Sequence, residues 1–398
     1  MGIAAPDGHG PLRRGGFVID TTGAEDTAAA AQRRQLLRVP DNPVRLGVAA
    51  ALVLFVIFGL PGFMNGYYTG YLTLAAIYAV VALGLGVLVG RVGLFSLGQG
   101  AVIQIGAWTG ARLLYATTQP YPVVLIEAGL VTMLIGTAIG LPALRMRGLY
   151  LALITLMLAG AITVILATVN FPNGGGGFSG YNGNSVHIPP IRRPSIAGTD
   201  PAYFRFAVVV ALVMFALVFL HLRTGPGRAW AAIRQSEPAA LAAGINVTFY
   251  KLWAFALASF ITGVAGAVLA GQAHYLYSIN FTTQDSIILL AVALMGGVFN
   301  LWGAVIAALL MQLLPAILQN LGVAFDWLTI VFGIGVLQVL TTAPAGLADQ
   351  FPKDMRRLYR LISRLWRRPA GAHRAGAPVS GGSATGGTAA GTKGGDTA

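Results

Sequence analysis

From Val44 onward the chain alternates long apolar runs with short polar breaks. A helix needs about 20 residues, rising about 1.5 Å each, to cross roughly 30 Å of hydrocarbon. Runs that meet or approach this length lie near Val44 to Leu60, Tyr71 to Gly90, Leu97 to Leu114, Val123 to Leu144, Leu149 to Val169, Phe206 to Leu222, Leu252 to Gly271, Ser286 to Val298, Trp302 to Leu318 and Trp327 to Thr342. The pattern predicts an all-α polytopic membrane protein, with about ten transmembrane or re-entrant helices over residues 44–343. The runs at Leu97, Ser286 and Trp302 are the least regular. Ser286 to Leu318 also reads as a re-entrant hairpin, since a hairpin and a pair of crossings both return the chain to its starting side.

The polar segments divide by character. Residues 1–43 carry Arg13, Arg14, Arg33, Arg34 and Arg38 without an apolar core, which predicts a flexible cytoplasmic arm. Residues 170–204 form a long Gly-, Pro- and Asn-rich loop on the outer side. In 344–368, basic residues from Lys353 to Arg368 interleave with Leu358, Tyr359, Leu361, Ile362 and Leu365, as in an amphipathic helix on the inner leaflet. The Gly-, Ala-, Thr- and Ser-rich tail, 369–398, cannot bury enough apolar surface to order itself.

Between two spans lies an ordered-looking polar segment, Arg223 to Lys251. Ser236 followed by Glu237 and Pro238 reads as a helix start: a side-chain cap, an acid in the first turn, and a proline where it is tolerated. Gly244 reads as its stop. The expected helix, Pro238 to Ala243, is short, rich in Ala and Leu, and held at its ends through Arg234 and Lys251.

Composition agrees with a lipid solvent: 56% hydrophobic, 10% charged, mean hydropathy +0.72. The net charge of +13 sorts by side rather than marking a nucleic-acid partner. With a cytoplasmic N-terminus, only Arg112, Arg192, Arg193 and Arg205 among 26 basic residues fall outside, so both termini are expected in the cytoplasm. There is no cysteine, and the five histidines are scattered, so thiolate and His-cluster metal sites are excluded. No G-x-x-x-x-G-K-[ST] loop occurs, so the chain does not hydrolyse ATP itself and no bound cofactor is expected. Glu127 is the one acid clearly inside a span, thin support for a proton relay. No Ser-His or paired-carboxylate constellation falls at one depth, so an intramembrane enzyme is disfavoured.

Two stretches match once one residue is gapped: G-L-F-S-L-G-Q-G-A-V-I from Gly93 and G-V-F-N-L-W-G-A-V-I from Gly297. Glycine-interrupted apolar segments in corresponding halves point to broken helices around a central pathway. They equally allow helices to pack closely. Buried amides are costly unless they face protein or water, so Gly93, Ser96, Gln99, Gln104 and Asn300 are the candidate lining of a translocation path.

The order Glu237, Ala239, Ala240, Gly244, then Ile245-Asn246, resembles the Glu-Ala-Ala…Gly loop of ABC importer permeases, most closely the LivM type that carries branched-chain amino acids. Gly93, Ser96, Leu97, Gly98, Gly106 and Ala107, then Gly148 to Leu156 and Asn300 to Gly303, continue the resemblance from about Tyr71 to Thr342. A departure falls at Asn173 to Gly180, where a T-G-G-x-x-G-L-type loop is expected in that family. The resemblance implies that Glu237, Ala239, Ala240 and Gly244 couple the chain to separate ATPase subunits that use ATP. It further implies a sister permease, an external substrate-binding protein docked on the outer loop, and residence in a prokaryotic inner membrane. The cargo it implies is a branched-chain or related small amino acid, or a small amide such as urea. A self-sufficient secondary carrier or channel is the competing class.

Overall fold

The structure, a computed structural model, describes residues 65–144, 146, 148–168, 191–273, 276, 281–322 and a few isolated positions elsewhere. The arm at 1–43, the Asn173 to Gly180 segment and the 369–398 tail lie outside the described residues, as do most of Val44 to Leu60, Trp327 to Thr342 and 344–368. Among the described residues every regular element is helical: α1 Gly66–Leu85, α2 Gln99–Ala116, α3 Tyr121–Ala143, α4 Leu149–Thr168, α5 Asp200–Arg223, α6 Gly225–Gln235, α7 Glu237–Ala242, α8 Val247–Ala273, α9 Thr283–Gly296 and α10 Leu301–Asn320. Six stretches are long and apolar enough to cross a membrane: Gly66–Val92, Tyr121–Pro142, Tyr150–Thr168, Asp200–Arg223, Val247–Ala273 and Leu301–Asn320.

α8 is the axis of the bundle. Its 27 residues rise about 40 Å, and 19 of them are buried. Glycines set how closely its neighbours approach. A Cβ on Gly106 of α2 would sit 2.6 Å from Gly263 Cα, and one on Gly110 would sit 2.7 Å from the Ala267 Cβ. On another side, a Cβ on Gly129 of α3 would lie 2.8 Å from the Phe260 ring, and one on Gly140 3.0 Å from that of Phe255. Lipid tails are as apolar as leucine, so helix association in a bilayer relies on this close van der Waals contact. The opposite faces of α3 and α4 leave Leu134, Tyr150, Met157 and Val164 more than half exposed, the apolar surface that hydrocarbon wets.

Two breaks interrupt the regular helices, and both fall where the matching stretches predict them. α1 runs on as a π-helix, Gly86–Val92, and stops at Gly93 with φ +83°. Gly93 to Gly98 is non-helical, with Leu94, Ser96 and Gly98 buried while Gly93 and Phe95 are exposed. Part of its backbone is satisfied by protein: Leu97 N donates to Thr155 Oγ1 and Leu94 N to Leu88 O, both at 2.9 Å. The second break, Gly297 with φ +109° followed by Asn300, separates α9 from α10. Each pairs a left-handed glycine with a polar residue that accepts a backbone N–H: Gly98 N to Ser96 Oγ at 3.3 Å, and Trp302 N to Asn300 Oδ1 at 3.3 Å.

The span expected near Ser286 is a half-length helix. α9 has 14 residues, a rise of about 21 Å, short of the roughly 30 Å core. Its first residue, Thr283, meets Gly160 midway along α4, so α9 begins within the bundle's depth. Its capping box, Thr282 with Asp285, supplies the start with its own hydrogen bonds there.

The described end of the 170–204 segment is tied to helix termini. Arg192 donates to the Leu114 and Thr117 carbonyls at the end of α2, at 3.1 and 2.7 Å. Arg193 donates to Gly271 O at 3.0 Å and pairs with Asp200 at 2.7 Å. Beneath them the Tyr121 and Tyr203 hydroxyls lie 2.9 Å apart, and Tyr203 Oη donates to Val268 O at 2.6 Å.

Candidate functional site

The segment between α5 and α8 folds into two helices with almost no slack. α6 turns back directly from α5, and Gly227 has no room for a Cβ, which would lie 2.6 Å from Leu222 Cα. Ala229, Trp230 and Ile233 form its inner face. Trp230 is fully buried, and its Nε1 donates to Tyr250 O at 2.8 Å, fixing α6 to the first turn of α8.

α7 is the expected short helix, shifted by one residue at each end: Glu237–Ala242 rather than Pro238 to Ala243. Ser236 caps it, accepting from Ala239 N at 3.4 Å. Its end is a Schellman motif: Gly244 N donates to Leu241 O at 2.9 Å, and Ile245 N to Ala240 O at 3.0 Å, with Gly244 at φ +77°. Asn246 then caps α8, accepting from Phe249 N at 3.0 Å. The last of these was readable from the Asn-x-x-hydrophobic spacing but is absent from the expected coupling set.

Four candidate coupling residues divide by direction. Ala240 faces inward, 2% exposed, so its small size serves packing within the chain. Glu237 is half-buried, and its Oε1 accepts from Lys251 Nζ at 2.5 Å. The Lys251 side chain is only 8% exposed, and this carboxylate neutralises a charge that α8 carries into the bundle. Ala239 and Gly244 face outward with Leu241, Ala242 and Ala243, a small and apolar surface beside Phe249. A helix so presented fits a groove that admits close backbone approach.

Lys251 ties α7 to α8, as the sequence implied. Arg234 does not tie it to the neighbouring span α5. Its Nη1 donates to Gly90 O at 2.6 Å, in the π-helix of α1, and its guanidinium lies 4.4 Å from the Phe299 ring at the α9–α10 turn. A π-helix misaligns the usual ladder, which leaves a carbonyl such as Gly90's open to a side chain. The α6–α7 segment is therefore joined to three separate parts of the bundle.

The candidate lining residues fall into separate places. Ser96 and Gln99 share a cavity of about 20 Å³ with Thr155, Ser259 and Phe255, between α2, α3, α4 and α8. Room on that scale suits a water molecule and not an amino acid. Gln104 is fully buried higher on α2, its Oε1 accepting from Thr163 Oγ1 at 3.0 Å. Gln99 Oε1 and Gln104 Nε2 are buried without a hydrogen-bond partner. Asn300 caps α10 and lines a different crevice, with Arg91. Gly93 lies at that same end, 3.7 Å from Arg234 Cγ for a Cβ placed on it. No four- or three-residue His, Asp and Glu cluster suited to a metal occurs among the described residues.

The sequence matches the family described as branched-chain amino acid transport system, permease component, over residues 67–340. It is 31% identical over 266 residues to a high-affinity branched-chain amino acid transport system permease protein, LivM, of Salmonella typhimurium, covering 60% of each chain. It is 30% identical over 294 residues to the LivM protein of Escherichia coli K12, covering 67% of each. The matched part thus spans about two thirds or less of these relatives' length. A fructose import permease protein, FruG, of Bifidobacterium longum is 27% identical over 310 residues, covering 72% of this chain and 84% of that protein. No solved structure gives a significant match. With its apolar helices, its broken entries to α2 and α10 and its matched span from residue 67 to 340, the chain belongs to the family of branched-chain amino acid transport permease components.

Proposed function

We propose that this chain is the membrane-spanning permease subunit of an ABC importer for branched-chain or related small amino acids. Separate ATPase subunits seat on the outward face of α7 and hydrolyse ATP. A sister permease completes the pathway, and an extracytoplasmic binding protein delivers cargo at the face where Arg192 and Arg193 lace the helix ends together. Both termini and the α6–α7 segment lie on the cytoplasmic side of an inner membrane.

The observation that carries this reading is the α6–α7 segment. A six-residue helix buries only Ala240 of its own residues, yet it is capped at both ends, tied to α8 through Glu237, and preceded directly by α6, which Arg234 pins to α1 and the α9–α10 turn. So few residues cannot stabilise a helix in water without packing. A helix held this rigidly with its small face outward is suited to receive force from a partner. The cavity that Ser96 and Gln99 share is too small for an amino acid, which supports a route completed by a second permease.

Co-expression with candidate ATPase, sister-permease and binding-protein subunits tests this directly. The complex should co-purify, and in liposomes leucine-loaded binding protein should stimulate ATP hydrolysis and uptake together. Uptake by this chain alone, without ATP, would establish the secondary-carrier class instead. Competition of labelled leucine by isoleucine, valine, urea and fructose then assigns the cargo, since a fructose permease is among the relatives.

A further inference from the structure

α9 carries a carboxylate to the middle of the bundle and leaves it unpaired. In the sequence Asp285 stands at the edge of an apolar run, where an acid would meet lipid headgroups. The fold moves it. The start of α9 lies beside Gly160 of α4 and packs along α1, where the Asp285 charge acts on Tyr78, midway along the 27-residue span Gly66–Val92. Thr282 N donates to Asp285 Oδ2 at 2.8 Å, and Oδ1 has no partner among the described residues. Asp200 and Glu237 pair with Arg193 and Lys251, whereas no base pairs with Asp285 among the described residues. A carboxylate at this depth is costly unless it meets a cation or water. Asp285 is only half-buried, and Thr282 and Gln284 beside it are exposed, so this turn opens outward from the chain. Carboxylate and amide groups at mid-depth face water or protein and not hydrocarbon.

A strip of tyrosines leads to this acid. Tyr67, Tyr71, Leu74 and Tyr78 recur at helical spacing on one face of α1, Tyr67 48% exposed and the others half-buried. The strip runs about 16 Å, from the end of α1 away from α6 and α7 down to Asp285. The Tyr67 and Tyr71 rings meet edge to face with centroids 4.9 Å apart. Aromatic faces attract an ammonium group, phenol oxygens can accept from it, and a carboxylate at the foot of the strip neutralises it. A sugar or an uncharged amide would leave Asp285 uncompensated. We propose that Asp285 receives the ammonium group of an amino-acid cargo, which reaches it along Tyr67, Tyr71 and Tyr78. The inference rests on the importer reading for its cargo class, and adds the group this chain recognises.

Tyr71→Cys is introduced into the full chain, which has no native cysteine, and its labelling by an aqueous maleimide is followed in membranes. Leucine should slow the labelling, and so should 3-methylbutylamine, which keeps the ammonium group and loses the carboxylate. The converse compound, 4-methylpentanoate, should not. Asp285→Asn keeps an oxygen for Thr282 N while removing the charge, and should raise the leucine concentration for half-protection about 10-fold or more. Asp285→Glu should recover part of that loss. Gln119→Cys, exposed at the same end of the bundle, should label without protection. Equal protection by 4-methylpentanoate overturns the proposal, as does undiminished protection in Asp285→Asn. Equal protection of Gln119→Cys, or a label that never reaches position 71, overturns it too. Should Asp285→Asn fail to reach the membrane, the amine and the acid compared in Tyr71→Cys decide alone. The labelling needs no ATPase, so protection without ATP-driven uptake refutes the importer reading and keeps this site. ATP-driven uptake without protection does the reverse.

Discussion

Gly244→Val is the sharpest probe of the α7 segment, because its cost is confined to one turn. Gly244 sits at φ +77°, and a Cβ added there would meet nothing within 4 Å. The penalty therefore comes from backbone conformation and not from packing. A left-handed residue with a Cβ costs about 1–2 kcal/mol, and a β-branched one falls at or above the top of that range. To escape it the chain must give up the bonds from Gly244 N to Leu241 O and from Ile245 N to Ala240 O. Of the α7 residues only Ala240 is buried, so the bundle is unaffected and the strain unwinds the helix end. A bias of about 1–2 kcal/mol shifts the ordered population by a factor of about 5–30. In a reconstituted importer, ATPase co-purification and binding-protein-stimulated ATP hydrolysis should fall by that order, with the permease still present and binding-protein affinity unchanged. Gly244→Asn should keep most activity and Gly244→Ala should fall between, because asparagine tolerates the left-handed region best among residues with a Cβ. Normal transport by Gly244→Val with the ATPase fully bound would refute the reasoning, and so would equal losses for Asn and Val.

Glu237→Gln leaves the buried Lys251 ammonium without its carboxylate and should lower stability by about 1–3 kcal/mol, read as a fall in thermal midpoint. Glu237→Lys should cost more and reduce coupling, and Glu237→Lys combined with Lys251→Glu should recover part of the loss. Gln104→Leu removes an unsatisfied buried Nε2, so the midpoint should hold or rise while transport falls if α2 lines the route. The chain has no native cysteine, so single cysteines at Ser96 and Gln99 report on that route against no background; protection from aqueous reagents through a whole transport cycle would remove them from it. Gly106→Ala places a Cβ 2.6 Å from Gly263 Cα and should lose folded protein in detergent, a size-exclusion measurement, whatever the cargo.

Much of this protein is legible from neighbouring residues alone. The spans at Tyr71, Val123, Leu149, Phe206 and Leu252 are recoverable because each meets or approaches the membrane's length requirement within one stretch, and the less regular run at Trp302 also proves to be a full-length helix. The α7 helix is recoverable to within a residue, because Ser236 and Gly244 are local caps acting on their own turns. The two breaks are visible as well, since a left-handed glycine and a small polar acceptor are short-range devices.

Contacts between distant residues decide the rest. Periodicity cannot say which face of α2 meets what, so its glycines could be read as packing or as pathway. The structure gives Gly106 and Gly110 to packing against α8, Ser96 and Gln99 to a small, mostly apolar cavity, and Gln104 to Thr163, 59 residues away. Arg234 reaches Gly90 across 144 residues of sequence, and a carbonyl freed by a π-helix leaves no signature in the amino-acid pattern. The Ser286 run reads as either a span or half of a re-entrant hairpin, and the meeting of Thr283 with the middle of α4 decides that α9 starts inside the bundle. Caps, breaks and spans draw their free energy from adjacent residues. The direction a side chain faces in the bundle is set by whichever helix happens to pack beside it.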